Sequence, residues 1–317
     1  MDLSKNKKTI LQIVLLLIGL LILIYILRGS GILENIPYLL TISIPLLILA
    51  FVLSNINILV KIYRWKFLSE KYNQPISMRE ASIVTVSSLY FANITPGKVG
   101  DLFKAYYMQK KHLMDFFDGV SMIFYERFFE LLILALTAGA IVFISMKGVS
   151  VIVLELTAII LIILALFYFK SDYFMGLLER LLVRVPVIKT GEVKFHIKKL
   201  PLPDIFAVFV ITGVSLVFEF ARLWVIALAF GYWLNPLQVS IFFSLAIVAG
   251  LISQIPLGIG VTEGSLSFLF QQVGVPPVSA MSIVLTDRII SMYYALVLGF
   301  VFSKFSYDRL NEAEAVS

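Results

Sequence analysis

The chain has 317 residues, 60% of them hydrophobic and only 15% charged, and its apolar runs are far longer than a soluble core requires, which excludes a soluble globular protein and points to a polytopic membrane protein. The formal charge of +6 sits in polar stretches beside hydrophobic spans, where membrane orientation puts it, so no nucleic-acid partner is implied. Cysteine is absent and the two histidines, His112 and His196, are far apart, which excludes disulfides, thiolate chemistry and a metal cluster, and no cofactor is called for.

Thr9 to Leu27 follows Lys5, Lys7 and Lys8 and is nearly free of charge, which predicts a first spanning helix with a cytoplasmic N-terminus. It has no small-residue cleavage site and is expected to stay as an anchor. Pro37 to Val60 crosses back, and Lys61, Arg64, Lys66, Lys71 and Arg79 mark the loop after it as cytoplasmic. Ala81 to Ile94 is too short to cross about 30 Å as a helix, and Thr95-Pro96-Gly97 stops it before a second short piece, Val99 to Met108. Together these two pieces predict a re-entrant hairpin. Phe116 to Met146, carrying Glu126, Arg127 and Glu130, and Val149 to Phe169, carrying Glu155, are the next spans, joined at Lys147-Gly148. From Lys170 to Pro201 the chain is polar, and Tyr173 to Val185 alternates apolar and basic residues at helical spacing, as in a cytoplasmic amphipathic segment lying on the membrane surface. Ile205 to Phe230, with Glu219 and Arg222, spans again. Pro236 to Ile255 and Leu257 to Val273 form a second broken hairpin, Val278 to Phe302 is the last span, and the polar tail from Ser303 to Ser317 is expected to be disordered.

The distribution of Lys and Arg decides the topology. If the first broken pair turns back, most of the 26 basic residues face the cytoplasm; if it crosses, the seven from Lys170 to Lys199 are extracellular. The hairpin is therefore preferred, and the second hairpin then enters from the opposite side. The expected architecture is a single all-α transmembrane domain of inverted repeats, about residues 9–147 and 149–302. It has six spanning helices plus two re-entrant helical hairpins that meet near the midplane, eight hydrophobic segments in all, and both termini are cytoplasmic.

The two hairpins carry one motif twice. Pro96 and Pro256 are each followed four positions later by Gly, at Gly100 and Gly260, and each copy closes on an acid-Arg dipeptide, Glu126-Arg127 and Asp287-Arg288. Charges within spans are costly and persist only when they pair or face a cavity, which makes Arg127, Arg288, Asp287, Glu219 and Arg222 candidate site residues. Arg suits a phosphate because its planar fork donates two parallel hydrogen bonds and keeps its charge on burial. The plainer alternative is local neutralisation, Arg127 by Glu130 and Arg222 by Glu219, each at i, i+3. Gly97, Gly100, Gly258 and Gly260 either serve close packing or free backbone N–H groups at the start of a half-helix, where they and the dipole can hold an anion. In the second case Lys98 and Asp101, then Thr262 and Glu263, line the cavity. Gly97-Lys98 does not have P-loop spacing.

The residues P-G-K-V-G-D-L-F-K-A-Y with the later E-R, and I-P-L-G-I-G-V-T-E-G with the later D-R, resemble the lysylphosphatidylglycerol synthase transmembrane region, or flippase-like domain, over Ile10 to Phe302. That family occurs alone or fused to aminoacyl-lipid synthase or glycosyltransferase domains. The resemblance implies a plasma-membrane protein that moves a lipid with a modified headgroup between leaflets. It points to Pro96, Gly100, Asp101, Lys104, Glu126 and Arg127, and to Pro256, Gly258, Gly260, Glu263 and Arg288. Leu257 departs from it, since many relatives have a second Gly there. The expected function is a flippase or scramblase for a phosphate-bearing lipid, polyprenyl- or aminoacyl-linked, and not an enzyme; its partners are the lipid substrate, the bilayer and an envelope-lipid biosynthetic enzyme. The alternative is an integral-membrane transferase, or an accessory subunit, acting on lipid-linked sugars or aminoacylated lipids.

Overall fold

The structure, a computed structural model, describes residues 3–34, 42–140, 149–169 and 199–316. Within them the protein is all α-helical. Helix α1 is Leu3–Ser30, α2 Ile44–Lys71, α3 Met78–Ile94, α4 Leu102–Lys110, α5 Phe116–Gly139 and α6 Val149–Phe169; then come α7 Leu202–Ala229, α8 Pro236–Ile252, α9 Val261–Gln272, α10 Pro277–Arg288 and α11 Tyr294–Val316. Among the described residues, four stretches are long and apolar enough to cross a membrane: Ile13–Ser30, Ile44–Lys71, Leu202–Ala229 and Pro277–Tyr307. Their outward faces carry Leu21, Tyr25, Phe206, Val217 and Val297 exposed, an apolar surface that suits lipid and not water.

Local chemistry sets the boundaries. Pro lies in the first turn of α2, where its missing N–H costs nothing. The second span was expected to end at Val60, yet α2 runs on to Lys71, because Ile62, Trp65 and Leu68 prolong the buried stripe of Ile58 at helical spacing. Lys61, Arg64, Lys66 and Lys71 are therefore helical and not in a loop. Ser77 caps α3 by accepting from the Glu80 N–H, and Thr95, extended before Pro96, ends it. A tight turn over Pro96–Asp101 then holds Gly97 and Lys98 at φ of 60° and 57°, and α4 folds back on α3. The second half repeats this: Asn235 caps α8, the chain turns over Pro256–Gly258, and α9 folds back on α8.

Each half has its own core. Trp65, Tyr107, Met108, Met122 and Tyr125 centre the first, and Leu223, Phe242, Phe270 and Ile283 the second. The halves join by exchange of partners: α2 packs on α7, α5 of the first half lies on α8 of the second, and α11 of the second lies on α3 of the first. Helix α1 covers α9 and the Pro256–Gly258 turn.

Three expectations change. The last span is interrupted, since Ile289–Tyr293 is a π-helical turn between α10 and α11, with the Ser54 hydroxyl donating to the Ile290 carbonyl at 3.1 Å. The tail is not disordered: α11 continues through it to Val316, held by the Ser306–Ser87 hydroxyl contact at 2.6 Å and by Leu310 against the first core. Glu155 is exposed on α6 and lies outside the charged centre. The start of the second span at Pro37, the Lys147-Gly148 junction and the amphipathic segment up to residue 198 fall outside the described residues.

Candidate functional site

A cavity of about 180 Å³ opens where the two turns approach each other between the halves. Helix α2 brings Asn57, Lys61 and Arg64 to it, the first turn Gly97, Lys98 and Asp101, α4 Lys104, and α5 Arg127 and Glu130. From the second half come Glu219 and Arg222 on α7, Gly258 and Thr262 at the turn, and Asp287 and Arg288 at the end of α10. Residues far apart in sequence, among them both acid-Arg dipeptides, thus share one polar centre inside an apolar fold. The remaining wall is mixed, with Ser54, Thr85, Ser88 and Asn93 polar and Leu89, Phe243, Ile247 and Leu251 apolar.

The ion pairs have a repeated wiring. In the first half, the acid of the dipeptide, Glu126, accepts from Arg64 of the preceding long helix at 3.0 Å, while its Arg127 meets Asp101, at the end of the turn, at 2.5 Å. In the second half, Asp287 accepts from Arg222 of the preceding long helix at 2.8 Å, while Arg288 meets Glu263, just past the turn, at 2.7 Å. Acid to upstream Arg, and Arg to hairpin acid, is the rule in both. Additional groups break the symmetry. Lys104 also binds Glu126 at 2.7 Å and lies 4.7 Å above the Trp65 ring; Arg127 and Lys98 share Glu130; and Lys61 reaches Glu219 across the halves at 2.6 Å. Asn57 orients Glu219 by donating at 2.8 Å and is itself held by the Ser215 hydroxyl. Arg127 Nε is buried without a partner among the described residues.

Of the residues singled out by sequence, Gly97, Lys98, Asp101, Lys104, Arg127, Glu130, Glu219, Arg222, Gly258, Asp287 and Arg288 line the cavity. Pro96, Gly100, Glu126, Pro256, Gly260 and Glu263 stand behind it: the prolines open the turns, and Glu126 and Glu263 anchor cations that do face it. Two expectations are corrected. Arg222 is neutralised by Asp287 and not by Glu219, because Glu219 is drawn to Lys61 and Asn57 on α2. The helix-break N–H groups are not all open to an anion: Gly100 N–H donates to the Thr95 hydroxyl and Gly260 N–H to Glu263, both at 2.7 Å.

Sequence reasoning missed Asn57, Lys61, Arg64 and Thr85. The signal for Arg64 was the apolar stripe that continues past it through Trp65 and Leu68; a loop would not keep that period.

The family model described as "Lysylphosphatidylglycerol synthase TM region" matches residues 10–299. The chain is 24% identical to a UPF0104 membrane protein of Methanocaldococcus jannaschii over 95% of each chain. It is 28% identical to a UPF0104 membrane protein of Methanothermobacter thermautotrophicus over 76% of this chain and 77% of the other, and 24% identical to one of Pyrococcus horikoshii over 90% and 94%.

Proposed function

The chain belongs to the lysylphosphatidylglycerol synthase TM region family, and from that premise we propose that it is a flippase- or scramblase-like transporter that moves a phosphate-bearing lipid between leaflets of the plasma membrane. The observation that carries this reading is the single cavity in which both hairpin turns and both acid-Arg dipeptides converge. A headgroup needs such a polar centre at membrane depth, and Leu89, Ile247 and Leu251 beside it offer an apolar wall to the acyl chain. The cluster has seven cations, Lys61, Arg64, Lys98, Lys104, Arg127, Arg222 and Arg288, against six carboxylates, Asp101, Glu126, Glu130, Glu219, Glu263 and Asp287, a balance that favours an anionic headgroup over a cationic one.

Duplicated wiring and exchanged packing support an inverted-repeat design, six spans and two re-entrant hairpins, in which one half rocks against the other. Transport is favoured over transfer chemistry because all six carboxylates are held in ion pairs, whereas a transferase needs a base free to take a proton.

The test is reconstitution in liposomes with tail-labelled lipids that differ only in headgroup. Phosphatidylglycerol or a polyprenyl phosphate is expected to reach the other leaflet faster than phosphatidylcholine or a cationic aminoacyl lipid. Movement of the cationic lipid alone, lost in Glu126→Gln but kept in Arg127→Gln, would reassign the site to its carboxylates. No movement of any lipid would sink the transporter reading.

A further inference from the structure

Matching the two halves pair by pair locates the cavity's excess charge. Arg64–Glu126 corresponds to Arg222–Asp287, and Arg127–Asp101 to Arg288–Glu263; Lys98 and Lys61 are offset by Glu130 and Glu219. Lys104 alone is left over. It joins a pair that is already balanced, and it does so almost entirely buried, with 4% of its side chain open, as has Arg64, while Glu126 has 1%. Two cations on one carboxylate, away from solvent, form an arrangement that a lone acid does not neutralise. A second observation lies on the facing helix. Thr85 of α3 lines the same cavity, is 1% exposed, and its hydroxyl has no partner among the described residues. A buried hydroxyl without a partner is costly unless a ligand completes it.

We propose that the phosphoryl group of the substrate lipid seats at Lys104 and Arg64, with the Thr85 hydroxyl as a further donor, so that the first half of the repeat is the headgroup site and Arg127 and Arg288 are not. This rests on the transporter reading above. One unit charge at close range decides affinity at such a site, and the hydroxyl supplies a donor that no acceptor among the described residues claims.

Binding tests it without requiring transport. The full-length protein in detergent is titrated with short-chain phosphatidylglycerol, short-chain phosphatidylcholine and inorganic phosphate, with the shift in thermal midpoint as readout. Lys104→Gln leaves Arg64 paired with Glu126, as Arg222 is with Asp287 in the other half, so the variant is expected to fold; it should bind phosphatidylglycerol about tenfold more weakly. Adding Glu126→Gln to it frees Arg64 and should restore most of that affinity, which a merely structural Lys104 would not do. Thr85→Val should weaken phosphatidylglycerol binding severalfold while leaving the unliganded midpoint unchanged or higher. Unchanged affinity in Lys104→Gln, or no recovery in the double variant, overturns the assignment while leaving transport by the wild type intact. Stabilisation by inorganic phosphate but not by the short-chain lipid overturns the lipid source. A wild type with no preference for phosphatidylglycerol over phosphatidylcholine overturns the site, and liposome transport then tells whether the transporter reading falls with it.

Discussion

The two dipeptide arginines occupy matching places in the wiring but different surroundings, so they should fail differently. Arg288 has 9% of its side chain open, binds Glu263 and also donates to the Leu257 carbonyl at 3.3 Å; Arg127 has 29% open and faces two carboxylates. Removing one partner of a buried pair strands the other at about 3–5 kcal/mol. Arg288→Gln should therefore lower the thermal midpoint clearly, and adding Glu263→Gln should recover most of the loss. Arg127→Gln should cost less stability. Equal stability losses in the two would refute the distinction. Leu257 is strained: it sits at φ of 63° with its carbonyl turned to Arg288, a conformation in which a side chain costs about 1–2 kcal/mol, and nothing in the structure explains a Leu there. Leu257→Gly should hence leave the midpoint unchanged or raise it by up to about 1 kcal/mol equivalent, because the strain relieved exceeds the added chain entropy. What sequence could not tell was the partner of each charge. Arg127 and Glu130 are neighbours on one helix and were legible, whereas Arg222 finds Asp287 and Lys61 finds Glu219 only through tertiary packing.

At the scale of elements, the breaks were legible and the continuations were not. Pro96, Pro256 and the glycines after them announce the turns because proline ends a helix and glycine accepts positive φ, as Gly97, Gly258 and Gly260 do. The ends of α2 and α11 were misjudged for one reason: charge was taken as the end of a helix, while the apolar stripe through Trp65 and Leu68, and Ser306 and Leu310 on α11, kept a packing face beneath the charges. The first turn depends on close approach as well as on φ. A methyl at Gly100 would overlap the Phe91 carbonyl, and one at Gly299 of α11 would lie 2.7 Å from the Tyr90 nitrogen and 2.8 Å from the Val86 carbonyl of α3. Backbone cannot yield as a side-chain tip can. Gly100→Ala is expected to reduce the yield of folded protein severely, and Gly299→Ala to cost about 1–3 kcal/mol by parting α3 from α11, measured as a lower midpoint in detergent. By contrast Gly231 and Gly274 meet nothing within 4 Å but hold φ of 86°, so alanine there should cost only the backbone strain, about 1–2 kcal/mol.

For the whole molecule, the distribution of basic residues and the packing of the halves both bear on how the two hairpins face the bilayer. Basic residues predicted that the first hairpin starts and ends in the cytoplasm and the second outside. Exchange of partners, α5 on α8 and α11 on α3, is what a two-fold relation between halves would produce, and an axis in the membrane plane would make them inverted. If so, the loops flanking α3–α4, at Asn73 and His112, lie together on one face, and the loops flanking α8–α9, at Trp233 and Gly274, lie together on the other. A single crossing through each broken pair would instead separate Asn73 from His112 and Trp233 from Gly274. The chain has no native cysteine, so single substitutions to Cys at these four positions can be labelled with an impermeant maleimide in sealed, right-side-out vesicles. Trp233, at 86% exposure, reports with little disturbance to packing. The expected pattern is labelling at Trp233→Cys and Gly274→Cys, and protection at Asn73→Cys and His112→Cys until the membrane is opened. Labelling of only one member of either pair would remove the re-entrant hairpins. Labelling of all four without permeabilisation would keep the hairpins but place them on one side, and the halves would then be parallel repeats with an axis along the membrane normal. In the inverted arrangement, rocking about the shared midplane cavity closes one hairpin's side as it opens the other's.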